Sequence, residues 1–180
     1  MNRETKLRIA GIVNDSVVDG LGIRMTLFTQ GCPHRCEGCH NPHTHDYSGG
    51  YEITLGEITD KVKGNPLLDG MTFSGGEPFE QAEALSELAV WLRQNGLNLW
   101  CYSGYTYEQL MAKAEQNSAV DTLLEYTDVL VDGRFVEDKK DLSLRFRGSS
   151  NQRIIDVPAS LQTGEVVLWE DWQGHERGIK

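Results

Sequence analysis

The chain has 180 residues, 39% of them hydrophobic and 24% charged, a globular composition that fills one ordinary domain and leaves too little for two. Its formal net charge of −10 repels phosphate backbones, which argues against nucleic acid as a partner. No apolar run approaches the ~20 residues of a membrane span, and residues 1–8 mix charges without the apolar stretch of a secretory signal, so a cytoplasmic protein with no membrane partner is expected.

In chain order, residues 24–29 alternate and carry β-formers, a strand ending just before Gly31. Thr54-Leu55-Gly56-Glu57 is a capping box that opens a short helix, closed by Gly64-Asn65-Pro66. Residues 70–73 form the next strand and run straight into Ser74-Gly75-Gly76-Glu77-Pro78. Leu85, Leu88, Ala89 and Leu92 then follow helical spacing up to Gly96. A third strand at 97–101 ends at Ser103-Gly104, and Thr106-Tyr107-Glu108-Gln109 is a second capping box. Residues 128–131 and 153–157 are the fourth and fifth strands, and 165–169 suits an edge strand. The irregular 31–50 stretch and the 159–180 tail are additions to this frame.

Strands alternating with helices imply α/β architecture with parallel pairing. In such sheets ligands gather at the carboxyl ends of the strands. The cysteine segment, the Gly-Gly-Glu turn, Ser103 and Asp132 all follow strands and are expected to share that edge.

Gly31-Cys32-Pro33-His34-Arg35-Cys36-Glu37-Gly38-Cys39-His40 holds three of the four cysteines in eight residues. Thiols in this crowded pattern suit a reduced metal site better than disulfides. Iron–sulfur groups and zinc both accept such ligands. Three thiolates leave one iron of a cluster free, whereas a structural zinc knuckle would recruit His40, His43 or His45. Cys101, alone on a strand, suits a small apolar site. In the Gly-Gly-Glu turn, adjacent glycines permit close ligand approach and Glu77 offers an ammonium a negative partner, although a plain strand-to-helix turn has the same composition.

The Cys-x3-Cys-x2-Cys spacing after a first strand resembles the signature of radical S-adenosylmethionine enzymes. The resemblance implies a partial (βα)6 barrel of parallel strands with outer helices, one domain over 1–180 with its core at about 12–157. It implies that Cys32, Cys36 and Cys39 hold a 4Fe–4S cluster, whose open iron takes the amine and carboxylate of S-adenosylmethionine. Many members carry an aromatic residue where Gly38 stands, so Gly38, Cys39 and His40 are expected near the adenine. Ser74, Gly75, Gly76 and Glu77 are expected at the methionyl amine. Ser103 and Asp132 are placed to bond ribose or methionine groups, with Arg134 at the cofactor carboxylate and Asn151 close by.

Asp19-Gly20-Leu21-Gly22-Ile23-Arg24 resembles the turn of glycyl-radical-enzyme activases, which often have proline in place of Leu21. Residues 128–135 and 147–152 resemble segments of the activating proteins of anaerobic ribonucleoside-triphosphate reductase. Such a protein uses a strong external reductant such as flavodoxin to cleave S-adenosylmethionine, and the 5′-deoxyadenosyl radical takes hydrogen from a glycine of the reductase. The Asp19–Gly22 turn is expected to help seat that partner. Alternatives are an activase of another glycyl-radical enzyme such as pyruvate formate-lyase, a relative acting on a small molecule such as a pterin, and a zinc-binding interaction module without catalysis.

Overall fold

A computed structural model describes residues 1–170 of the chain. Seven strands form a single sheet in the order β3-β1-β2-β4-β5-β6-β7. They are β1 (Lys6–Ser16), β2 (Arg24–Thr29), β3 (Tyr51–Thr54), β4 (Gly70–Gly75), β5 (Asn98–Tyr102), β6 (Val129–Asp132) and β7 (Arg153–Asp156). The helices are α1 (Leu55–Lys63), α2 (Ala82–Gln94), α3 (Tyr107–Ala114), α4 (Ser118–Glu125) and α5 (Val157–Thr163). The architecture is α/β, as expected.

The middle of the sheet, β2-β4-β5-β6, is parallel, and each step between these strands passes through helix. The flanks are antiparallel: β1 pairs with β2 and β3, and β7 with β6. This corrects the expectation of uniformly parallel strands. Parallel pairing needs a long crossover, usually a helix, but residues 133–152 contain only the single turn Glu137–Lys139, so the chain folds back on β6. Strands β1 and β3 and helix α4 were not anticipated. The edge strand at 165–169 reduces to a bridge between Ile155 and Leu168. Residues 171–180 of the anticipated tail lie outside the described part.

Local chemistry accounts for the helix starts. Thr54 accepts from the Glu57 amide while Glu57 reaches back to the Thr54 amide, and Thr106 with Gln109 repeats the arrangement. Asn117 caps α4 by accepting from the amides of Ala119 and Val120. One sheet face buries Met25, Leu27, Met71, Phe73, Leu99, Cys101, Leu130 and Ile155 against Leu85, Leu88 and Leu92 of α2 and Leu123 of α4. On the other face a smaller cluster of Trp100, Val129 and Val131 is covered by Phe146 and Trp169, with Trp100 ring contacts of 5.1 Å to each. All four parallel strands therefore run the same way, and their carboxyl ends lie along one edge.

Candidate active site

The end of β2 leads directly into the cysteine segment. The Gly31 amide donates to the Thr44 carbonyl at 2.8 Å and the Cys32 amide to the His45 carbonyl at 3.3 Å, so the chain closes a loop around the cysteines. Cys32 is buried, Cys36 and Cys39 are half-buried, and all are free thiols. Burial pushes the Cys32 thiol up, opposed by amide donors at His34 and Arg35. Burial also raises Cys36, opposed by the Phe135 amide and by the charge of Arg134. The Asn41 amide donates to Cys39 Sγ at 3.4 Å.

An amide thus donates to the Cys39 sulfur, and backbone amides oppose the rise that burial imposes on Cys32 and Cys36. Such donors stabilise thiolates and tune the potential of an iron–sulfur group. Reduced thiols on one loop, with these donors in place, fit a cluster of that kind. Among the described residues no three His, Cys, Asp or Glu side chains are grouped closely enough to hold one metal ion. A zinc ion would need its ligands drawn in to roughly 2.0–2.3 Å, whereas a cluster takes each cysteine at a different corner. Cys101 is fully buried in the strand core, as expected of it.

The Gly-Gly-Glu turn docks on the start of this loop. The amides of Gly76 and Glu77 donate to the carbonyls of Thr29 and Gly31, both at 2.8 Å. The chains are so close that a Cβ on Gly76 would stand 2.3 Å from the Gly31 oxygen, which requires glycine there. Glu77 itself is wholly buried. One carboxylate oxygen faces His34 Nε2 at 2.9 Å and the Gly104 amide at 2.9 Å; the other accepts from the Phe79 amide at 3.1 Å and the Ser103 hydroxyl at 2.9 Å. The sequence suggested Glu77 as a negative partner for a ligand ammonium. The folded chain turns it inward, because the residues that follow β5 and the loop that follows β2 both supply donors there.

Ser103 and Asp132 share that inward character. Ser103 is buried and also accepts from the Tyr105 amide at 3.0 Å. Asp132 is buried, accepts from the Tyr107 amide at 2.8 Å and pairs with Arg153. Arg134 is exposed and lies close enough to Cys36 to act on its charge, while Asn151 donates to the Arg134 carbonyl at 2.9 Å. The Asn151 Oδ1 is buried without a hydrogen-bond partner. Gly38 sits against Glu137 and Phe135, and His40 is exposed with its ring 5.0 Å from that of Phe135. Ser74, Gly75 and Gly76 are half-buried at the end of β4.

The anticipated strand-end residues are therefore brought to one edge. The Asp19–Gly22 turn is not among them: it precedes β2, at the opposite strand end. There Asp19 accepts from the hydroxyls of Ser16 and Thr26 at 2.6 and 3.0 Å. Sequence reasoning missed His34, whose burial depends on a glutamate 43 positions away, and Arg153, whose partner lies 21 positions back.

Known proteins resemble this chain over most of its length. Residues 18–155 match the family model described as a 4Fe-4S single cluster domain. The anaerobic ribonucleoside-triphosphate reductase-activating protein of Vibrio cholerae is 38% identical over 148 residues, covering 77% of this chain and 90% of that protein. The protein of the same name from Escherichia coli K12 is 38% identical over 146 residues, covering 76% and 90%. That of bacteriophage T4 is 30% identical over 143 residues, covering 76% and 86%. This chain belongs to the family of anaerobic ribonucleoside-triphosphate reductase-activating proteins and carries a 4Fe-4S single cluster domain.

Proposed function

We propose that this chain activates an anaerobic ribonucleoside-triphosphate reductase as a radical S-adenosylmethionine enzyme, with Cys32, Cys36 and Cys39 as the ligands of one 4Fe–4S cluster. The observation that carries the proposal is the meeting of the cysteine loop and the Gly-Gly-Glu turn at the carboxyl edge of the parallel strands, joined by Gly76, Glu77 and His34. A reduced cluster held there would supply the one electron that splits S-adenosylmethionine into methionine and a 5′-deoxyadenosyl radical able to take hydrogen from a glycine of the reductase.

The protein's own part is to position and to shield. Amides at His34, Arg35, Phe135 and Asn41 stabilise thiolates on the loop. A ligand ammonium is a donor, so it would be met by the carbonyls of Ser74, Gly75 and Gly76 rather than by their amides. Arg134, exposed beside Cys36, suits a ligand carboxylate, and the unpartnered Asn151 Oδ1 suits a hydroxyl or amine donor. Gly38 and His40 form the adenine side, and Ser103 and Asp132 act indirectly by fixing the strand ends.

We read the open sheet as the middle of a partial (βα)6 barrel within one domain, its open side admitting a loop of the reductase. The expected reductant is an external low-potential donor of the flavodoxin kind. Strong acidity argues against nucleic acid, and among the described residues no helix is long and apolar enough to cross a membrane; we place the protein in the cytoplasm. The test is reconstitution without oxygen, followed by an assay for reductant-dependent 5′-deoxyadenosine and for a glycyl radical on added reductase. Absence of both from a chain loaded with cluster would refute the proposal.

A further inference from the structure

We propose that Glu77 and His34 form a buried clamp that positions the cluster-binding loop, and that the Glu77 carboxylate works inward on this clamp rather than outward on S-adenosylmethionine. This deepens the function proposed above and rests on it.

The Glu77 carboxylate is saturated. An ionised carboxylate offers about four acceptor sites. At Glu77 these face His34 Nε2, the Gly104 amide, the Phe79 amide and the Ser103 hydroxyl, and the residue has no exposed surface. A ligand ammonium would have to displace one of these donors and leave it unsatisfied in the interior.

The partner of Glu77 is enclosed as well. His34 lies between Cys32 and Cys36, yet its side chain is only 3% exposed, unlike most of the loop around it. Its ring packs edge-on to Tyr105 with centroids 4.5 Å apart. Room for it depends on residue 104 being glycine, since a Cβ there would stand 2.2 Å from His34 Cδ2.

The clamp adjoins an unusual turn. Next to His34, Arg35 adopts a left-handed conformation with φ 47°, unusual for a residue with a side chain. Such a turn persists only where its surroundings over-determine it. The imidazole, fixed by Glu77, therefore sets where the turn toward Cys36 lies. With the Glu77 amide holding the Gly31 carbonyl, one residue secures both the start and the middle of the loop.

His34 is thus a positioning residue. The test uses the full chain, reconstituted with iron and sulfide without oxygen, as wild type, His34→Leu, Glu77→Gln, the double variant and His34→Gln. Two quantities are read: the rate at which a chelator removes iron, and S-adenosylmethionine affinity per loaded cluster from the spectrum of the reduced cluster.

The clamp predicts iron loss about ten-fold faster in each single variant, the size typical of groups that orient metal ligands. It predicts a double variant within about two-fold of either single one, because both remove the same interaction. His34→Gln, which retains an N–H donor, restores most of the wild-type rate, and Glu77→Gln leaves affinity per cluster unchanged. Should His34→Leu not fold, Ser103→Ala takes its place in the cycle with the same non-additivity expected. Single effects that multiply, or a Glu77→Gln chain that keeps its iron at the wild-type rate while losing S-adenosylmethionine, would overturn the clamp. A wild-type chain that takes up no cluster would instead refute the underlying function, before any variant is compared.

Discussion

Arg153 on β7 closes over the buried carboxylate of Asp132 at the end of β6, its Nε 3.0 Å from Asp132 Oδ1. The same guanidinium donates to both oxygens of Glu108 on α3, at 2.9 and 2.8 Å. Asp132 also accepts from the first amide of α3, so the antiparallel edge strand, the last parallel strand and a helix meet at one ionic joint. Arg153→Met leaves Asp132 charged and without its partner. Allowing for the partial exposure of Arg153, the expected loss is about 2–3 kcal/mol, checked by urea unfolding of the unloaded chain. An unchanged midpoint would show that the joint contributes nothing.

Acid exposes the outer half of that joint. Hydrogen bonding from Arg153 holds the Glu108 carboxyl down at about 2, below its ordinary 4.5. A depressed carboxyl pKa contributes stability above the unfolded value and loses it as pH falls through the folded one. The stability gap between wild type and Arg153→Met should therefore narrow from pH 4.5 toward pH 2, as followed by urea midpoints across that window. A gap that widens on acidification would contradict the assignment.

Gly76 at the site and Gly11 in β1 are predicted to differ sharply. Gly76→Ala forces a Cβ against the Gly31 carbonyl, a backbone atom with nowhere to move, whereas Gly11 in β1 has nothing within 4 Å of the same addition. Expected losses are about 3 kcal/mol or more at Gly76 and within about 0.5 kcal/mol at Gly11. Thermal midpoints of the two unloaded variants provide the comparison.

Much of the parallel core was legible because its signals are local. The capping boxes at Thr54 and Thr106 and the apolar rows of β4, β5 and β6 each occupy a few consecutive residues. The long strand β1 was not, since register shifts around Ile9–Gly11 and Val13–Ser16 break its alternation. The direction of β7 depends on what the chain omits between 133 and 152, a crossover helix, rather than on its own residues. At the site, spacing suffices to single out three cysteines and two glycines. The partners of Glu77, among them His34, Ser103 and Gly104, are distant in sequence, so residue type alone does not give them.

The two classes of cysteine separate cleanly by experiment. Cys36→Ala should leave a folded chain that no longer retains a full complement of iron and sulfide, since Cys36 is half-buried on the loop. Cys101→Ala should load normally and lose about 1 kcal/mol, as a fully buried thiol traded for a smaller apolar side chain. Iron and sulfide analysis beside a melting curve tests both; loss of cluster in Cys101→Ala alone would reverse the assignments.

The most direct test of the function is electron paramagnetic resonance of the reduced, reconstituted wild-type chain before and after adding S-adenosylmethionine. Cys32, Cys36 and Cys39 binding three corners of a 4Fe–4S cluster predicts a reduced-cluster signal that shifts when the ligand reaches the fourth iron. A colourless chain loaded only with zinc, or a cluster signal indifferent to S-adenosylmethionine, would contradict it.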